Sequence, residues 1–224
     1  MAMFDEIAPV YDRLNTLMTF GMDDRWRRAA VQAAGLADGG SVIDVASGTG
    51  KLAAALAEKV GPFGRVVAVD LSPAMVALGS AQFRDVVQLE FRVANALDLP
   101  VEESAFDAAT IAFGLRNLAD FEAAFRELRR VVRPGGRVVC LELTWPRPRW
   151  WARVFHASFR HGVPIAGRVF GHTSAYRYLP ASLEGFPEAD RLAALMRSAG
   201  LVDVRFRRLG LGSVALHTGT VPEG

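Results

Sequence analysis

Apolar residues fall along this chain in two rhythms. Short apolar-rich runs at 41–45, 65–69, 89–93, 106–113 and 137–143 read as strands. Between them the spacing becomes helical, at 50–60 and 73–83. Over 120–132 the apolar Phe121, Ala124, Phe125, Leu128 and Val131 fall on one helical face. Ser72-Pro73 is a helix start, with a serine cap and proline at the first helical position. Asp38-Gly39-Gly40 and Arg133-Pro134-Gly135-Gly136 read as turns ahead of the first and fifth strands. Residues 4–35 read as helical, with Leu14, Leu17 and Met18, then Trp26, Ala29, Ala30 and Ala33, at helical spacing. Gly21 separates these two helices. After Leu143 the pattern changes. Residues 144–183 hold helical patches, 202–208 alternate apolar with polar, and 212–217 form a short apolar run. The last two fit an antiparallel pair closing the sheet.

Alternating strands and helices imply an α/β fold, with a parallel sheet covered by helices on both faces. Right-handed crossovers leave few topologies. The expected architecture is one domain over 1–224. It has a seven-stranded, mostly parallel sheet, a helical cap over 1–38 and an insertion over 144–183. A chain of 224 residues, 51% apolar, is long enough for such a core. The single cysteine, Cys140, sits inside an apolar strand and reads as a buried small hydrophobe, which fits a reducing compartment. No signal peptide and no membrane-spanning run is expected. The net charge of +2 says little about partners. No metal site is expected.

Chemistry gathers at the strand ends, where ligands bind on such sheets. The first strand carries Asp44 and breaks into Gly48-Thr49-Gly50 before a helix. Strand, glycine-rich turn, helix is how a backbone approaches a nucleotide-like ligand. The second strand ends in Asp70, placed to accept both hydroxyls of a ribose. Together these imply a cofactor with an adenosine. The dinucleotide pattern lacks its third glycine, because Lys51, Leu52 and Ala53 follow Gly50. A phosphate-cradling loop is excluded too, because Leu52 stands where a hydroxyl would hold magnesium. The turn instead resembles the Asp-x-x-x-Gly-x-Gly signature of S-adenosylmethionine-dependent methyltransferases. In that family the first acid lies near the methionine end and the second holds the ribose.

A narrower resemblance runs along nearly the whole chain. Phe4-Asp5-x-Ile7-Ala8-x-x-Tyr11-Asp12, Asn15, Phe20-Gly21 and Trp26-Arg27 come first. Phe113-Gly114-Leu115-Arg116-Asn117 follows the fourth strand. Tyr176-Arg177-Tyr178-Leu179 with Ser182, and Gly212-x-Val214-Ala215-Leu216-His217-x-Gly219, come last. In this order they resemble the motifs of the menaquinone/ubiquinone-biosynthesis C-methyltransferases. The resemblance implies a Rossmann-like class I methyltransferase that uses S-adenosylmethionine to methylate a ring carbon of a prenylated quinol. It assigns cofactor contacts to Asp44, Ser47, Gly48, Thr49, Gly50, Asp70, Leu71, Asn95, Ala96, Ala112 and Phe113, with Asn95-Ala96 facing the adenine. Gly114, Asn117 and Tyr178 are expected at the substrate. Two positions depart from the family pattern. Lys51 replaces a frequent acid; it either points to solvent from the first helical turn or faces the site, where a second cation beside a sulfonium would cost affinity. Ala112 replaces a serine found in some members and loses one hydrogen bond.

The reaction needs a carbon nucleophile aligned with an electrophilic methyl, and orientation supplies much of the rate. A ring carbon becomes nucleophilic when the quinone is reduced and one hydroxyl is deprotonated. The quinol is therefore the expected substrate, demethylmenaquinol ahead of a ubiquinone-pathway benzoquinol. Arg116 keeps its proton and is a poor base, but suits an oxyanion developing on the substrate. Its competing role is a surface salt bridge. Tyr11, Asp12, His156 and Tyr176 are the candidates for deprotonation or for shaping the site.

From Leu143 to Leu183 the chain carries no acid. It carries Arg147, Arg149, Arg153, Arg160, Arg168 and Arg177, with Trp145, Trp150 and Trp151 among them. A basic, tryptophan-bearing amphipathic element suits an anionic membrane interface, where a polyprenyl quinol resides. The expected location is cytoplasmic, peripheral to the inner face of the cell membrane. The competing reading is a substrate lid with its aromatics in the core. A rival of another class is nucleic-acid binding, as an RNA or DNA methyltransferase. The absence of an Asn/Asp-Pro-Pro-Tyr/Phe-like turn after the fourth strand argues against it, so no nucleic-acid partner is expected. Self-association into a homo-oligomer is left open by the sequence.

Overall fold

The computed structural model describes residues 21–146, 182–183 and 185–223. Among these, the strands are β1 Ser41–Val45, β2 Arg65–Asp70, β3 Leu89–Val93, β4 Phe106–Ala112, β5 Val132–Leu143, β6 Val202–Leu209 and β7 Val214–Thr220. The helices longer than one turn are α1 Asp23–Ala34, α2 Lys51–Val60, α3 Pro73–Gln82, α4 Phe121–Val131 and α5 Ala189–Ser198. The strands form one sheet in the order β3-β2-β1-β4-β5-β7-β6. The first five pair in parallel, and β7 runs antiparallel to both β5 and β6.

The two apolar rhythms follow from burial on both faces of this sheet. Alternate residues of β5 part company: Val138 and Cys140 join α4 and α5 in one core, while Val139 and Leu141 join α1 and α2 in the other. Cys140 is fully buried, as its strand position requires. Helix starts are set locally. Ser72 Oγ accepts from Met75 N at 3.2 Å with proline following, and Asp120 Oδ1 accepts from Ala123 N at 2.9 Å.

Helix α5 is not expected from the sequence, and β7 covers Val214–Thr220 where 212–217 is expected. β5 starts at Val132, not Arg137, so the Arg-Pro-Gly-Gly turn lies inside it. Phe106 pairs with Val132 and Ala108 with Arg137, so the intervening residues loop out as a bulge. Asp107 pins this corner by accepting from Arg133 Nε and from Ser41 N, each at 2.7 Å.

His217 of β7 is fully buried. Its Nε2 donates to Ala189 O at 2.9 Å, and its ring stacks on Phe206 at 5.1 Å. Burial pushes its pKa below the ordinary 6.5. The residue ties the start of α5 to the sheet.

The strand order fixes where a ligand goes. From β1 the chain winds outward to β2 and β3, then returns to place β4 on the other side of β1. The carboxyl ends of β1 and β4 therefore diverge, and a crevice opens between them.

Candidate functional site

Both strands leave that switch point in a backbone shape that L-residues avoid. Ala46, just after β1, has φ +52°, and Phe113, just after β4, has φ +57°. Left-handed non-glycine residues cost roughly 1 to 3 kcal/mol each and persist where surrounding contacts over-determine them. Gly114 makes the approach of the two exits possible, because a Cβ there would lie 2.5 Å from Ala46 Cβ.

The glycine turn is held by backbone bonds. Ser47 N donates to Val69 O, Gly50 N to Ser47 O, and Ala54 N to Gly50 O as α2 begins. Gly50 has φ +85°, and a Cβ on it would lie 2.3 Å from the Phe91 ring. Asp70, at the tip of β2, braces the turn: Oδ2 accepts from Gly48 N at 2.8 Å and Oδ1 from Ser72 N at 2.9 Å.

Asp44 is 1% exposed. Thr110 Oγ1 donates to its Oδ1 at 2.6 Å, while Oδ2 has no hydrogen-bond partner. Burial pushes its pKa up to about 7, although the Thr110 bond and the charge of Arg27 pull the other way. Ser47 Oγ is also buried without a partner. Two orphaned oxygens in one place is the pattern of a site that expects a polar, partly cationic ligand.

The cleft encloses about 400 Å³ of empty space, part of it open to solvent. Of the expected cofactor residues, Asp44, Ser47, Gly48, Thr49, Ala112 and Phe113 line it. Gly50 lies under it, and Asp70 stands one strand over. Asn95 and Ala96 stand beyond β3, where Asn95 Oδ1 closes a turn by accepting from Leu97 N at 3.0 Å. Leu71 is half-exposed beside Asp70. From β4 to β3 this row crosses three strand spacings, about 14 Å, which suits an elongated ligand.

Four further residues line the cleft: Arg27, Ala46, Lys51 and Leu52. Lys51 thus faces the cleft rather than solvent, because the first turn of α2 directs it there. Arg27 pairs with the buried Asp23 at 2.5 Å and lies 6.0 Å over the Phe113 ring, which also meets Trp26 at 6.3 Å. The acid–arginine pair one turn apart, with an acid inside an apolar stripe, was a signal for Arg27.

Arg116 lies in a short 3₁₀ turn, Leu115–Asn117, and its side chain is 8% exposed. Nη1 donates to Glu142 Oε1 at 2.5 Å and to Phe113 O at 2.6 Å. The salt bridge is therefore a buried one. Gly114 is buried against Ala46, and Asn117 is exposed. Tyr11, Asp12, His156, Tyr176 and Tyr178 lie outside the described residues.

The model of the ubiE/COQ5 methyltransferase family matches residues 1–221. The chain belongs to this family. Within the ubiE/COQ5 family it is 45% identical over 223 residues to the demethylmenaquinone methyltransferase of Thermus thermophilus, covering 98% of this chain and 100% of that one. It is 41% identical to the ubiquinone/menaquinone biosynthesis C-methyltransferase UbiE of Geobacter sulfurreducens, covering 97% and 86%. Solved structures share the fold at lower identity. A SAM-dependent methyltransferase from Aquifex aeolicus superposes at a TM-score of 0.62 with 17% identity, over 87% of this chain and 89% of that one. A SAM-dependent methyltransferase from Thermotoga maritima, a possible histamine N-methyltransferase, reaches 0.67 with 18% identity, over 98% of each chain. The Rossmann-like class I fold is thereby shown, and the ubiE/COQ5 match makes the chain a methyltransferase.

Proposed function

We propose that this ubiE/COQ5 enzyme methylates a ring carbon of a prenylated quinol, converting demethylmenaquinol to menaquinol as the last step of menaquinone biosynthesis. S-adenosylmethionine is its cofactor. The observation that carries the cofactor is the pair of buried oxygens without partners, Asp44 Oδ2 and Ser47 Oγ, in the cleft between β1 and β4. The names of the relatives support a substrate of the quinone pathway and favour it over the nucleic-acid reading; the reduced form rests on the need for a nucleophilic ring carbon.

Asp44, Ser47, Gly48 and Thr49 would hold the methionine end, Asp70 and Leu71 the ribose, and Asn95 with Ala96 the adenine. When bound, S-adenosylmethionine supplies an electrophilic methyl group on a sulfonium. The chain's own residues do the rest. Asp44 offers an acceptor to a cationic ligand once it gives up its proton. Phe113 and Ala112 form the wall of the cleft where β4 ends. Arg116, paired with the buried Glu142, would meet a phenolate as half of an ion pair rather than as a lone cation, and Tyr11, Asp12, His156 and Tyr176 are the candidates to take the substrate's proton or shape its pocket. Gly114, Asn117 and Tyr178 complete the proposed substrate side. The basic aromatic segment over 144–183 would meet an anionic bilayer, where the substrate resides.

The test is methyl transfer from labelled S-adenosylmethionine to a short-chain demethylmenaquinone, with and without dithionite. Label is expected on the ring only after reduction. Cofactor binding without transfer to this quinol would overturn the substrate and turn the search to a ubiquinone-pathway benzoquinol.

A further inference from the structure

The Glu142 carboxylate is 1% exposed at the carboxyl end of β5. Three donors converge on it. Arg116 Nη1 and Leu143 N reach Oε1 at 2.5 and 2.8 Å, and Arg116 N reaches Oε2 at 3.3 Å. The same Nη1 donates to Phe113 O at 2.6 Å. One buried acid therefore holds the turn after β4 through both the side chain and the backbone of Arg116. What it holds is the left-handed exit of Phe113, whose ring contacts Trp26 and Arg27 and walls the cleft.

We infer that Glu142 is a positioning residue for methyl transfer: acting through Arg116, it sets the Phe113 turn against the cofactor cleft. This rests on the proposed reaction. The contacts are contiguous, from Glu142 to Arg116, to the Phe113 carbonyl, to the ring in the cleft wall. A fixed wall is what alignment of a carbon nucleophile requires, and a displacement of about 1 Å costs on the order of a hundredfold in rate.

Glu142→Gln removes the charge and replaces one acceptor oxygen by an NH2 that opposes Arg116. Glu142→Asp keeps the charge but withdraws the carboxylate by one methylene, so it retains a partner for Arg116 and remains folded. Two readouts are needed. Hydrogen exchange is expected to quicken at the amides of 113–117 and Leu143 in both variants, while the centres of β1 and β4 stay protected. With wild type active on the reduced quinol, kcat is expected to fall about tenfold or more in both variants, with S-adenosylmethionine Kd changed less than about threefold. The double variant Glu142→Gln with Arg116→Lys is expected to be no slower than Arg116→Lys alone, because the two residues act as one unit. Unchanged exchange over 113–117, or wild-type kcat in Glu142→Asp, would overturn the inference. So would single effects that simply multiply. A wild type that binds cofactor but transfers nothing to the quinol would overturn the proposed substrate instead, and the exchange experiment would then decide the role of Glu142.

Discussion

Asp44 is the residue on which the cleft's electrostatics turn. Its folded pKa, about 7, lies above its ordinary 3.8. The folded state therefore binds the proton more tightly than the unfolded one. The stabilisation is complete below pH 4, is lost as the pH rises towards 7, and is gone above 7. The whole shift corresponds to roughly 4 kcal/mol at most. Asp44→Asn cannot titrate, so urea unfolding should find it more stable than wild type at pH 8 and similar at pH 4. Binding should run oppositely: a cationic cofactor favours the carboxylate, so wild-type affinity climbs to about pH 7 and the variant's stays low and flat. Calorimetry across this range checks it. Gly50→Ala forces a Cβ to 2.3 Å from Phe91 at a φ of +85°. A loss of about 2 to 4 kcal/mol and of cofactor binding is expected, read by thermal unfolding and calorimetry. Asp44, the glycine turn and Asp70 were legible in the sequence because Asp44 and the turn share one strand exit and Asp70 ends the next apolar run. Glu142 was not. It reads as one more residue of an apolar strand, and its partner lies 26 positions earlier.

Among the elements, the boundaries of α1 to α4 are legible to within a residue or two because caps are local, while α5 is not foreseen. Asp120→Ala removes the bond to Ala123 N and should cost about 1 kcal/mol in urea unfolding with kcat unchanged. The bulge in β5 was hidden, because its glycines look the same in a turn and in a strand that loops out and resumes. His217 joins two elements. Its folded pKa is depressed, so its stabilisation is present above pH 6.5 and fades as the pH falls through that value. His217→Phe keeps a ring beside Phe206 but gives up the bond to Ala189 O. It should be less stable than wild type at pH 7, with a shallower decline towards pH 5.

For the whole molecule, alternating strands and helices predict the layers and the hand of the crossovers, while the strand order is visible only in the contacts. Runs of valine and alanine in β1, β2 and β4 are interchangeable by pattern, so nothing local says that β4 lies beside β1. No helix among the described residues is long and apolar enough to cross a membrane. The proposed bilayer contact over 144–183 predicts sedimentation with anionic vesicles, weakened by salt as its arginines are screened. No sedimentation with such vesicles at low salt would count against it.

The bond between Thr110 and Asp44 joins residues 66 positions apart. During synthesis, the glycine turn and its acid leave the ribosome well before their neighbour strand exists. A nascent chain ending before Phe106 carries most of the residues expected at the cofactor, yet lacks the wall made by Ala112 and Phe113. Cofactor capture is therefore a property of the completed fold rather than of the segment bearing its signature. S-adenosylmethionine added during refolding should slow unfolding without hastening the early steps, because the ligand has nothing to grip until β4 has docked.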